Sequence, residues 1–445
     1  MARAPRRLTT FLLACCLPLA WAAAAAADAS APSDQPSELL AVKDGWLNSA
    51  RLLQLPDWLN LGFSWTAEPF VNPVGGSQQL SNWVQQSSVS LAVGSGLGKA
   101  PGQWREIDHW SLQANVTHNA GDPRYAKAIG ARFPLQEVAY PSGFLLSELS
   151  LNRNIGSGWL QLNAGILPIN PPFISAPIFN SYVHSAFNNT LNLSLLNRES
   201  LSPANLPINP YPALGGIVSV QPAADLNLRY GWFDLASIIG IARWLGGPPL
   251  PPLPPLPGGG NAQILQLEWS PAVLGPANST HLQACRSGAG VIRRSSSCPR
   301  PVQVSNQLPQ GLVSLGGTSS AAQGEAAYAS LTRRSGAPVG LDERIWIGGS
   351  WAGSSDRSPG PSFVGGGWLI QGLLPSRPLD LLVFGAGRAS GLGSGFEGMI
   401  ELGYQWQVNT NLNLQPTLQW IVHPSAITPT PPGILAAGLQ IAVAF

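Results

Sequence analysis

Charge is what this chain has least of: only 10% of its 445 residues are Asp, Glu, Lys or Arg, against about 25% in an average soluble domain. A surface that faces water is normally coated with such groups, so a soluble globule of this length is poorly provided for. The formal charge of +2 and the 44% hydrophobic content exclude a disordered chain as well, since disorder needs low hydrophobicity and high net charge. Long apolar runs are missing too. After the first 27 residues no stretch approaches 18 consecutive apolar side chains, so no membrane-spanning helix is expected; the longest helix-like stretch, 235–245, is too short. Catalytic spacings are equally absent: there is no G-x-S-x-G, H-E-x-x-H or Walker-type motif. His109, His118, His184, His281 and His423 are scattered singly. An enzyme is not expected, and neither is a cofactor or a metal.

The first residues form a segment of their own. Arg3, Arg6 and Arg7 precede an apolar run from Leu8 that ends in the small residues Ala25, Ala26 and Ala27, the layout of a secretory signal peptide over 1–27. Its removal leaves 418 residues with 21 basic and 22 acidic groups. No basic stripe remains to follow a phosphate backbone, so nucleic acid is excluded as a partner. Cysteine is scarce, with four in all, and Cys15 and Cys16 leave with the leader. Cys285 and Cys298, 13 positions apart in an exported chain, read as one disulfide closing a loop.

Glycine (49), proline (42) and tryptophan (16) are abundant, and between the turn-formers the dominant signal is period two. Leu435, Ala437, Leu439, Ile441, Val443 and Phe445 share one face, against Ala436, Gly438, Gln440, Ala442 and Ala444 on the other. Leu226, Leu228, Tyr230 and Trp232 oppose Asn227, Arg229 and Gly231 in the same way. Seventeen segments read as strands, the weakest being 127–133 and 311–317.

Alternation alone does not say which face is buried. The wet face of a soluble β-sandwich is rich in ions, whereas here it is mostly Gln, Asn, Ser, Thr and Gly. An oily face against lipid and a polar face lining a water-filled interior fit this composition, because closure pairs every backbone group inside the membrane. The expected fold is an all-β transmembrane antiparallel barrel over 57–445, with an even strand number, preceded by a periplasmic segment at 28–56. Trp65, Tyr230, Trp232, Tyr404, Trp406 and Trp420 lie on oily faces near strand ends, as interfacial girdles do. Residues 167–212 lack alternation and suit a loop folded into the lumen; the proline-rich run 246–260 reads as an extended spacer.

Thr66-Ala67-Glu68-Pro69, then Asn72 to Gly76, the segment Gln415 to Pro424, and Gly438-Leu439 in a last strand ending at Phe445 together resemble the carbohydrate-selective porins of the OprB family. The resemblance implies a 16-strand barrel in the bacterial outer membrane, through which sugars and other small hydrophilic solutes diffuse passively past constriction loops. A porin without sugar preference and an exported sugar-binding sandwich are the alternatives; homotrimer and monomer are both open.

Selectivity in a wide pore comes from its width and its few internal charges. Strand parity puts Glu68, Arg132, Glu148, Arg229, Glu268, Arg344 and Glu401 on the inward face, with Trp159 as an aromatic platform for a sugar ring. Each charge could instead belong to an ion pair that only stiffens the wall.

Overall fold

The computed structural model describes most of residues 55–445. The gaps are 57, 95–108, 157–158, 170–171, 175, 189–210, 245–259, 276–308, 321–323, 336–340, 353–361, 375–376, 378, 391–394, 410 and 445; within 189–210 and 276–308, and at 42–43, only short strand pairs are described. The signal peptide, most of the 28–56 segment, the proline-rich run and Cys298 therefore lie outside the described residues, as does Phe445.

Sixteen antiparallel strands close into one barrel. In chain order they are β1 (Leu59–Val74), β2 (Ser81–Gly94), β3 (His109–Gly121), β4 (Gly143–Ile155), β5 (Leu160–Leu167), β6 (Ala213–Ala223), β7 (Leu226–Asp234) and β8 (Asn261–Trp269). There follow β9 (Leu312–Ser320), β10 (Gly324–Arg333), β11 (Asp342–Ala352), β12 (Ser362–Gln371), β13 (Leu381–Ser390), β14 (Phe396–Gln407), β15 (Leu412–Val422) and β16 (Ile434–Ala444). Each pairs with its neighbour in sequence, and β16 returns to β1 through pairs such as Trp65 with Val443, so no edge is left unpaired. No described helix is long and apolar enough to cross a membrane.

Sixteen of the seventeen expected strands are present, including the weak one near 311–317. The segment 127–133 is not a strand. Tyr125–Ile129 forms a short helix, α1, closed by Gly130 in the left-handed region at φ 98°. A segment of seven residues fits a helical turn as well as a strand, and period alone does not separate them.

The faces follow the alternation. Leu162, Leu214, Val218, Leu228, Leu265, Ile347, Val364, Phe384, Leu402 and Leu418 stand exposed on the outside, while Asn115, Ser150, Gln266, Gln405 and Gln415 face inward and hydrogen-bond there. At the end where β16 finishes, 156–159 joins β4 to β5, 224–225 joins β6 to β7 and 408–411 joins β14 to β15 by tight turns, and 270–311 between β8 and β9 is the one very long connection there. Asn409 builds the turn between β14 and β15, its Oδ1 accepting the N–H of Asn411 and Leu412 at 2.8 and 2.9 Å. Asn411 Nδ2 in turn donates to Ala444 O, fixing the last strand to that turn. Short turns mark the periplasmic end of such barrels, and the longer connections 122–142, 168–212, 235–260 and 423–433 leave from the other end.

Candidate functional site: the lumen

Two of the long connections fold down into the barrel and divide its interior. The β5–β6 connection forms a strap across the lumen, rooted on two walls. On one wall, Ile174 N–H donates to Gln266 Oε1 of β8 at 2.8 Å, and Arg229 Nη1 donates to Pro172 O. Ile169, Phe173 and Ile174 pack there among Leu145, Leu167, Ile217, Phe233, Ile264 and Tyr328. On the other wall, six strands further round, Glu401 of β14 accepts the N–H groups of Val183 and His184, both at 2.8 Å. Gln405 and Gln415 donate to Ser181 O at 3.1 and 3.0 Å.

Aromatic packing completes the second root. Tyr182 Oη donates to Phe384 O at 2.9 Å and receives the Trp346 indole N–H at 2.6 Å; Phe179 meets Trp346 edge-on at 5.0 Å. Tyr182 lies on a wall cleared of side chains, since a Cβ at Gly367 would overlap its hydroxyl and one at Gly385 would come within 2.6 Å of its ring. His184 is buried, and burial lowers its pKa to about 3, so it is neutral. Its Nδ1 accepts the N–H of Ala186 at 3.1 Å, which leaves the ring proton on Nε2.

The β3–β4 connection is held by the same device. Glu397 accepts the N–H groups of Arg132, at 3.0 Å, and Ser425, at 2.7 Å. Glu68 accepts the N–H of Val138 at 3.1 Å, and Gln419 donates to Leu135 O at 2.9 Å. Gln440 Nε2 bridges Glu68 and Glu137 at 2.7 Å each. Burial pushes the Glu137 carboxyl up to about 7, and the neighbouring Gln440 and Asn188 only partly offset it. Wall side chains here satisfy the backbone of irregular segments that would otherwise be buried unpaired.

The residues singled out by parity thus separate into distinct places. Glu68 and Glu401 point inward, but both are fully covered by the inserted segments. Arg132 belongs to the β3–β4 connection instead of a strand, and its guanidinium reaches Ser425 Oγ and O at 3.1 Å each. Arg344 is buried at the periplasmic end, paired with Asp342 at 2.8 Å and donating to Pro309 O at 2.7 Å. Trp159 stands half exposed in the β4–β5 turn with its indole folded over Gly156, at the rim. Glu148 faces the lumen and accepts from Ser150 Oγ at 2.6 Å. Cys285 lies in the short strand Gln283–Arg286.

Arg229 and Glu268 alone among these form a water-facing pair, 3.2 Å apart and each 19% exposed. Gln161, Ser219, Gln221, Asn227, Ser270 and Gln310 surround them in a polar recess of about 150 Å³ at the periplasmic half of the lumen. Asn227 Nδ2 and Gln266 Nε2 also donate to Glu268, at 3.1 and 2.6 Å.

The family model described as "Carbohydrate-selective porin, OprB family" matches residues 102–445. The chain belongs to that family. It is an outer-membrane porin, through whose barrel carbohydrates and other small hydrophilic solutes diffuse passively. The high-pH structure of Pseudomonas putida OprB is similar to it with a TM-score of 0.68 at 15% identity, covering 91% of this chain and 99% of that one. The low-pH structure of the same protein gives 0.51 at 13% identity with the same coverage. At these identities the likeness speaks for the fold. Among curated protein sequences nothing matches it.

Glu397, Glu137 and Gln266 of this porin were missed in the sequence. Glu397 shares the parity of Glu401 on one strand, so alternation alone would have found it. Glu137 sits in a connection where no period exists to read.

Proposed function

We propose that sugars cross this porin along the polar wall of β2–β9 that the strap leaves open, and that Arg229 and Glu268 with their amide neighbours form the contact patch. The observation that carries this reading is the paired state of the two charges. An arginine and a carboxylate at 3.2 Å nearly cancel each other's field at a distance, so the pair itself favours neither small cations nor anions; the further charge lining the recess, Asp225, lies at its turn and accepts from Trp269 Nε1 at 3.1 Å. At contact range the pair still presents forked donors and acceptors, which match neighbouring hydroxyls of a sugar. Glu148 and Asn152 continue the polar lining; Glu68, Arg132 and Glu401 hold the inserted segments in place, Arg344 ties the end of the 270–311 connection to β11, and Trp159 marks the rim.

The chemistry belongs to a channel. His109 contacts Asn154, His118 lies against Phe144 and His423 against Phe396, and none of these neighbours is a nucleophile. Conductance of single channels in planar bilayers, with and without glucose or maltose, tests the reading. Sugar is expected to reduce the current in the parent, and Glu268→Gln is expected to weaken that block and shift the channel towards anions. Ohmic channels indifferent to sugar would remove the contact patch while leaving the pore.

A further inference from the structure

Among the exposed charges on the outer wall, one adjoins an apolar groove and has no part in the pore. At the periplasmic end of β10, Arg333 points outward and is exposed, and no described side chain pairs with its guanidinium. The five residues 336–340 that follow in sequence include no acidic one. Arg333 shares a rung with Ile345 of β11, which faces Trp368 of β12, so it lies level with an interfacial indole. One step further into the membrane face, Leu331 pairs with Ile347, and Ile347 is flanked on its other side by Gly366. The glycine leaves the surface open there. Leu331, Arg333, Ser335, Ile345 and Ile347 line an apolar groove of about 470 Å³ that runs from the arginine towards the middle of the belt.

A carboxylate stands at the same end. Glu343, two residues before Ile345 on β11, accepts from Trp368 Nε1 at 2.7 Å and from Ser335 Oγ. One lone pair on each oxygen is occupied in this way, and a carboxylate has about four acceptor sites, so it can take a further donor. The rim therefore offers the Arg333 cation, the edge of the Glu343 carboxylate, which is 8% exposed, and an oily slot between them and the membrane interior, while Arg334 beside them faces Asp342 at 3.4 Å. That charge pattern is complementary to a zwitterionic headgroup and argues against a purely anionic lipid, which Glu343 would repel.

We propose that this groove seats a phospholipid of the periplasmic leaflet, its acyl chain over Leu331, Ile345 and Ile347, its phosphate on Arg333 and its primary ammonium on Glu343. A guanidinium meets phosphate through paired N–H donors, and a primary ammonium donates hydrogen bonds that a quaternary one lacks.

The test is retention of lipid by the delipidated full chain in detergent, read by native mass spectrometry after addition of phosphatidylethanolamine, phosphatidylcholine or phosphatidylglycerol. The parent is expected to retain the ethanolamine lipid in preference to the other two. Arg333→Ala should lower retention about tenfold, the equivalent of one lost charge-assisted contact. Glu343→Gln should leave the phosphate contact and abolish the preference for ethanolamine over choline. Because Arg333 is exposed, its alanine variant should fold and conduct like the parent, so a loss of channel activity would be a separate failure. Retention of the ethanolamine lipid unchanged in Arg333→Ala overturns the proposal. So does a preference for phosphatidylglycerol, or a mass shift from multimer to monomer in that variant with lipid content unaltered, which would assign the groove to a second copy of the chain.

Discussion

Glu401 offers the sharpest test of how the lumen is constricted. Its side chain is fully buried and holds the strap through the N–H groups of Val183 and His184, both at 2.8 Å. Glu401→Ala leaves two buried donors without partners, at about 1–3 kcal/mol each, so the strap loses about 2–6 kcal/mol of its anchoring. Glu401→Gln keeps an amide oxygen that accepts one of the two N–H groups, and about half of that loss is expected. The remaining hold on this root is the Ser181 carbonyl, the Tyr182 hydroxyl between Phe384 O and the Trp346 indole, and the packing of Phe179, Tyr182 and Phe187. Single-channel recording reads the result directly: mean conductance and open-channel noise should rise in the order parent, Glu401→Gln, Glu401→Ala. Gly367→Ala attacks the same root from the wall, because its methyl takes the space of the Tyr182 hydroxyl; it should reproduce the phenotype with Glu401 intact. Conductance and noise identical to the parent in both Glu401→Ala and Gly367→Ala would refute the idea that the strap sets the width of the pore.

Three further outcomes follow from the fold. Leu402 lies outward near the middle of β14 between Phe384 and Leu418, so Leu402→Arg puts a charge in hydrocarbon at about 2–4 kcal/mol; a lower temperature for loss of the compact, heat-modifiable gel band checks it, and an unchanged temperature would place that face away from lipid. Glu137, whose folded pKa of about 7 lies above its ordinary 4.5, holds extra proton in the folded state between those values. Stability of the β3–β4 connection should fall as pH rises from about 4.5 to 7 and level off above, and protease cleavage within 122–142 should quicken over that window in the parent but not in Glu137→Gln; equal pH profiles would exclude Glu137 as the cause. A disulfide between Cys285 and Cys298 would leave both thiols unreactive to alkylation in denaturant until a reductant is added, and labelling before reduction would show them free.

The barrel was legible because its cause is local. Leu226 to Trp232 and Leu435 to Val443 alternate with amides and small residues, and each strand needs only that period to know which side meets oil. The shortage of ions then told lipid from water. Even Arg229 and Glu268 could be assigned to the lumen by parity, and Glu397 could have been by the same count. The segment 127–133 misled for a related reason: seven residues are too few for a period of 2 to be told from one of 3.6.

What parity could not say is which inward side chains meet water. Glu401 and Glu268 have the same sequence character, an acidic residue among amides on an inward face, yet one is sealed beneath the strap and the other shares an open recess with Arg229. The difference lies in a connection without periodicity, whose Val183 and His184 arrive from more than 200 positions away. Sequence alone determined the wall, because pleat and solvent act residue by residue. Only the tertiary structure decided the opening, because buried N–H groups of an irregular loop must find acceptors wherever the closed barrel brings them within reach.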